Sequence, residues 1–303
     1  MKAVTHTEVY RPFQGTLEPR ALRFSPIVGM GIRTAAKKRL PLLLLYAPPA
    51  IATIVFSFIV YGTYAAESLL ESVDFSDVGG RMASTAAERA LQQVQVKQLI
   101  LAFHRLMTWF TLLATAWYGS GLFSDDRRAG AHQLYFSRPL TRLDYFAGKF
   151  FVVAFFAACA LLLPGVLLCL MATFTSPDWS FVKDQWDVIL ETLTYGSLWV
   201  LVVSLAVLAA SSLASKRVFS LIGMFGLFVL SSAFAALMGE EVNQHLFGLS
   251  PIWSIWRIGD WLFEPKQPSL SFPVSTAVLS LTAYVTLFLS VITWRLRRLE
   301  VVG

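Results

Sequence analysis

Charge is scarce in this 303-residue chain. Only 15% of its residues are charged and 56% are hydrophobic, and the mean hydropathy is +0.60. A soluble domain carries about 25% charged and 45–50% apolar residues, so the deficit excludes an ordinary soluble fold and points to a membrane. Cysteine is nearly absent. Cys159 and Cys169 share one apolar run, and ten helical residues separate them by about 15 Å, too far for a disulfide. They read as packed or lipid-facing thiols and do not report a redox compartment. The stretch from Met1 to Arg39 is polar and basic. It lacks the apolar centre of a cleavable signal peptide, which leaves the first span as the expected targeting signal.

Catalytic motifs are missing too. Gly148-Lys149 lacks the earlier glycine and the following Ser or Thr of a phosphate loop. His6, His104, His132 and His245 are scattered, with no HExxH or paired-cysteine spacing. Gly119-Ser120-Gly121 lacks the spacing of a nucleophile elbow, and small residues there suit close helix packing. No carboxylate cluster supports a lipid-modifying enzyme. Ionisable groups inside membranes mark ion paths, yet few fall at mid-span. His104-Arg105 and Glu191 lie near span ends, where snorkelling to the interface is expected; a role in an outer gate or in substrate contact is the other reading. This scarcity argues against a proton- or sodium-coupled carrier. The chain is expected to be non-catalytic, with no metal or cofactor bound directly and no nucleic-acid partner.

Long apolar runs are what the sequence has. Six candidate spans cover Leu40–Tyr61, about Ile100–Phe123, Phe150–Phe174, about Val188–Ala214, Val218–Leu237 and Phe272–Trp294. About 20 apolar residues suffice to cross the hydrocarbon core as a helix. A barrel would need alternation, which runs such as FFVVAFFAACALLLPGVLLCLMATF do not show. Lys and Arg concentrate before the first span, between the second and third, at Lys216-Arg217 and in the tail. The positive-inside rule therefore places both termini in the cytoplasm.

The expected division is a cytosolic tail with an interfacial helix (1–39) and a six-span domain (40–303), with outer loops at 62–99, 175–187 and 238–271. Met1–Phe24 reads as an extended tail and Ala83–Val96 as a polar helix. Ser25–Leu40 reads as a basic amphipathic helix along the membrane surface, or as charges that only set topology. The last outer loop carries Trp253, Trp256 and Trp261. Indole rings favour the headgroup level, so this segment reads as a short helix lying in or dipping into the outer leaflet, or as a loop that anchors the last span.

Between spans two and three lies FSDDRRAGAHQLYFSRPLTRLDYFAGKFF. Ser124 is placed to cap a helix with Asp125 and Asp126 in its first turn, where the helix dipole favours negative charge. Pro139 requires that helix to end by Arg138. Thr141 and Asp144 fit a capping box for a second helix that runs through Lys149 into the third span. The result is a bent elbow, longer than the 2–8 residues common in helix–helix links. Leu134, Tyr135, Phe136, Leu140, Leu143, Tyr145 and Phe146 put apolar surface on it. Mixed with arginines, they match either a protein interface or an elbow folded onto lipid phosphates.

The order of an acidic pair, basic residues, Gly130, Ser137-Arg138-Pro139, Arg142, a tyrosine and Gly148-Lys149 resembles the permease subunits of ABC-2 type transporters. The six spans, the inside termini and the interfacial segment resemble them as well. The resemblance implies an all-α integral membrane protein of six transmembrane helices, with an N-terminal interfacial helix and a coupling elbow (124–149) between helices 2 and 3. In that family such an elbow seats in a cytosolic ATPase. The implied contact residues are Leu134, Tyr135, Phe136 and Leu140, with Asp125, Asp126, Arg127, Arg128, Arg138 and Arg142 for charge and Pro139 for the bend. The implied partners are two ABC ATPase subunits carrying ATP and Mg2+, a second permease copy or a related permease, and membrane lipid, all in a bacterial inner membrane. The expected activity is export from the cytoplasm or bilayer. The alternative is a complex that transmits mechanical work to an extracytoplasmic partner protein without bulk transport.

Overall fold

The computed structural model describes residues 22–72, 95–131, 140–265, 268, 270 and 272–298. Within them every regular element is helical: α1 (Ser25–Ala36), α2 (Arg39–Ser72), α3 (Val96–Gly119), α4 (Ser124–Arg128), α5 (Arg142–Ala160), α6 (Leu162–Thr175), α7 (Ser180–Asp184), α8 (Trp186–Leu213), α9 (Arg217–Phe225), α10 (Ser231–Glu241), α11 (Pro251–Phe263) and α12 (Val274–Arg297). Short 3-10 turns cover Pro177–Trp179 and Gln244–Leu249. Six stretches are long and apolar enough to cross a membrane: Arg39–Leu70, Val96–Arg128, Arg142–Thr175, Trp186–Leu213, Arg217–Glu241 and Val274–Arg297. Each contains or overlaps an expected span. The expected tail and the expected polar helix at 83–96 lie almost wholly outside the described residues.

The helices depart from plain rods where proline and glycine allow it. Pro48 and Pro49 sit inside α2 without ending it; neighbouring groups in a membrane helix re-satisfy the carbonyls a proline frees. Pro164 does end a helix, because its missing N–H releases the carbonyl of Ala160. The third span accordingly breaks at Leu161, with φ −126° and ψ −58°, between α5 and α6. In the fifth span a π turn at Gly226–Leu230 joins α9 to α10.

α8 is the axis of the bundle. It packs against α12, α5, α6, α3 and α11, and 67% of its most apolar stretch is buried. Only 17% is buried in α2 and in the α9–α10 span, which leaves both peripheral. The main core joins Phe103, Met107 and Leu112 of α3 to Tyr195, Trp199 and Val203 of α8. α1 lies along the start of α5. Gly148 and Gly31 make that approach close: a side chain at Gly148 would meet Ile27 at 2.8 Å, and the space beside Gly31 is filled by Val152.

Following the chain, α1, α4, the start of α5, the end of α8, the start of α9 and the end of α12 all fall at one end of the bundle, here the elbow end. At the opposite end, α10 and α12 are joined by a re-entrant segment. α11 packs on α12, α8 and α3, and Trp256 reaches Thr108, twelve residues into α3, or about 18 Å along its axis.

Candidate functional site

The elbow begins as a turn at the end of α3. Ser211 of α8 accepts hydrogen bonds at Oγ from the amides of Phe123 (3.0 Å) and Ser124 (3.3 Å), and donates to the carbonyl of Ser120 (2.8 Å). The first amides of a helix have no partner within it, and here α8 supplies one. Ser124 is therefore not the cap its position implies: it is the first helical residue, and its hydroxyl donates to Ser120 O (3.1 Å). α4 is also shorter than expected. It ends at Arg128, and Gly130 turns the chain with φ +66°, a conformation glycine adopts without strain. The expected capping box is present, with Asp144 N donating to Thr141 Oγ1 (3.1 Å) and Thr141 N donating to Asp144 Oδ2 (3.0 Å).

Charged side chains tie α4 to α5 and to the end of α8, and others from α9 and α12 brace the same end of the bundle. Asp126 pairs with Lys149 of α5 at 2.7 Å and accepts from the Tyr145 hydroxyl, also at 2.7 Å. Lys149 lies 5.5 Å from the centre of the Tyr145 ring. Arg127 donates to the carbonyls of Ala214 and Ser211 (3.3 Å to the latter). From the other side, Arg295 of α12 donates to Ser212 O (3.1 Å) and Leu213 O (3.3 Å). The last carbonyls of a helix lack intrahelical partners and carry partial negative charge, so two arginines close the end of α8. Arg217 donates to Trp117 O and to Ser120 Oγ (3.2 Å), with its guanidinium 4.6 Å from the Trp117 ring.

The expected site residues divide accordingly. Asp125, Arg128 and Arg142 are exposed, and Leu143 beside them is 74% exposed. Asp126 and Arg127 turn into the bundle and make structural contacts. Leu140 is half-buried against the main core. Leu134, Tyr135, Phe136, Arg138 and Pro139 lie outside the described residues. Tyr145, expected on the exposed apolar surface of the elbow, is buried and bonded to Asp126. Lys149 was legible as part of the elbow but not as a partner of Asp126; Arg217 and Arg295 were legible only as topology-setting charges, and Ser211 carried no signal, because their partners are distant in sequence.

At the opposite end the tryptophans are not surface anchors alone. Ser250 caps α11 by accepting from Trp253 N (3.4 Å). Trp253 and Trp256 are half-buried, with Nε1 donating to Ser232 O (3.0 Å) and Thr108 Oγ1 (3.4 Å), and only Trp261 is well exposed, at 58%. Arg105 does not snorkel. It pairs with Asp260 of α11, whose side chain is fully buried, and lies 5.5 Å from the Trp256 ring. His104 is fully buried, with Nδ1 2.8 Å from Ile100 O. The expected excursion to the interface fails for both residues because α11 folds back over them. Glu191 instead pairs with Lys97 at 2.7 Å, beside a polar cavity of about 450 Å³ lined by Glu67, Lys97, Asp184 and Asp187.

A family described as ABC-2 family transporter protein matches residues 99–258, more than half of the chain. The match runs from α3 through most of α11 and takes in every bond of the elbow described above except those from Arg295. No curated protein matches the chain.

Proposed function

The chain belongs to the ABC-2 transporter family and is a multi-pass permease subunit of an ABC transporter, and from this premise we propose that its elbow is where a separate ATPase subunit docks and drives export. Both termini are cytoplasmic on this reading, two ATPase subunits bind at the elbow end, and a second permease copy or a related permease completes the pathway. ATP and Mg2+ belong to the ATPase. The observation that carries the proposal is the two-sidedness of the elbow. Its inner side is tied to α5 by Asp126 and to the end of α8 by Arg127 and Ser211. Its outer side leaves Arg128, Arg142 and Leu143 exposed. A strut fixed on one side and charged on the other can take a push from a soluble subunit and pass it to the central helix.

The test is co-purification of the ATPase with the intact permease. Arg128→Glu with Arg142→Glu, and separately Leu134→Asp with Arg138→Glu, should lose the ATPase while keeping the wild-type melting profile. Retention of the ATPase by both folded variants would place the dock elsewhere. Failure of the wild type to retain any ATPase would remove the docking proposal altogether.

A further inference from the structure

A second polar site lies at the elbow end, in a cavity of about 310 Å³ between α1, α3, α4, α5 and the start of α9. At about 30 Å³ per water it would hold roughly ten waters, or one phosphodiester group. Its walls carry Lys38, Arg217, Asp125 and the Asp126–Lys149 pair, together with Tyr118 and the apolar side chains of Met30 and Val152. We propose that this cavity binds the headgroup of an anionic glycerophospholipid, with the phosphodiester between Lys38 and Arg217 and a headgroup hydroxyl toward Asp125.

Two observations lead there. Asp126 and Lys149 neutralise each other at 2.7 Å, so Lys38 and Arg217 against Asp125 leave one excess positive charge, matching a phosphodiester monoanion. Lysine and arginine both make strong charge-assisted bonds to phosphate oxygens. Finally, Met30 is 68% exposed beside the polar groups, and the cavity sits where α1 meets the first turns of α5, at the end of the spans. A glycerol backbone and acyl chain can leave along that apolar wall, which a free soluble phosphate would not use. A bound lipid would bridge α1 to the elbow.

The test is native mass spectrometry of the full chain, delipidated in detergent and titrated with dioleoyl phosphatidylglycerol. Dioleoylglycerol, dioleoyl phosphatidylethanolamine and soluble glycerol phosphate serve as comparators. Phosphatidylglycerol should be retained most strongly. A basic residue near a membrane surface contributes about 1 kcal/mol, so Lys38→Gln should weaken retention about fivefold and Lys38→Glu about tenfold or more. Lys37→Glu, outside the cavity, should not weaken it. Melting curves identify any variant whose fold is disturbed, and Lys38→Gln carries the test if charge reversal disturbs α1. Equal retention of dioleoylglycerol, or wild-type retention by Lys38→Gln, would overturn the site. Equal retention of the ethanolamine lipid would overturn the charge assignment. Competition by glycerol phosphate as effective as by the lipid would make it a soluble-anion site.

Discussion

Lys149 stands at the foot of a membrane helix with 8% of its side chain exposed, opposite an Asp126 with 18%. A charge so placed is tolerable only while its counter-charge stays. Removing one member of a buried pair costs about 3–5 kcal/mol, and partial exposure lowers the figure. Asp126→Asn should therefore destabilise the protein by about 2–3 kcal/mol in chemical unfolding in detergent. Adding Lys149→Met should recover most of that loss; a double variant no better than the single would show that Asp126 matters for another reason. Gly148, one position earlier, fails by sterics instead. A Cβ there would stand 2.8 Å from Ile27, and overpacking costs about 1–3 kcal/mol. Gly148→Ala should lower stability by that amount, and Ile27→Ala should be less costly on the Gly148→Ala background than alone, since contacting sites are not additive. The adjacent glycine and lysine were legible as a motif. Their division of labour, one seating α1 and the other pairing with the elbow, was not, because neither partner is near in sequence.

Among the elements, the six spans were legible because each is a long apolar run, and the start of α5 was legible because a capping box is local chemistry. α11 was legible as a short helix at or dipping into the outer leaflet, but not in what it packs against. Its tryptophans read as interfacial from residue type, but the side chains that decide its position, Arg105 and Asp260, lie 155 residues apart. One sequence carries periodicity and capping but no pairing across such a gap. The break at Leu161 went unread although Pro164 stands in the open, since the first span carries two prolines within one continuous helix. If the Arg105–Asp260 pair holds α11 against α3, Asp260→Asn should speed amide hydrogen exchange across Pro251–Phe263 by about tenfold or more, given about 1.5–3 kcal/mol for hydrogen bonds to charged groups. Exchange in α5 should not change. The reversed pair, Arg105→Asp with Asp260→Arg, should restore part of the protection. Uniform acceleration in both helices would instead mean that Asp260 supports the whole bundle.

At the scale of the whole molecule, α8 joins the two ends. Its final carbonyls are held by Arg127 and Arg295, and its body packs on α11 and α12. A displacement of the elbow thus has a continuous route to the re-entrant segment. That route separates docking from transmission, because the exposed residues Arg128 and Arg142 are not those that tie the elbow to the bundle. In the complex with its ATPase, binding of a non-hydrolysable ATP analogue should change hydrogen exchange in α11 of the wild type. Asp126→Asn combined with Arg127→Ala should keep the ATPase bound and lose that distant response, because the strut still presents its outer face but no longer grips α5 and α8. Arg128→Glu with Arg142→Glu should do the reverse, losing the ATPase while leaving α11 exchange in the isolated permease unchanged. If the first variant kept the full response at α11, force would have to enter the membrane by a path other than the end of α8, and the elbow would be a dock without being the lever.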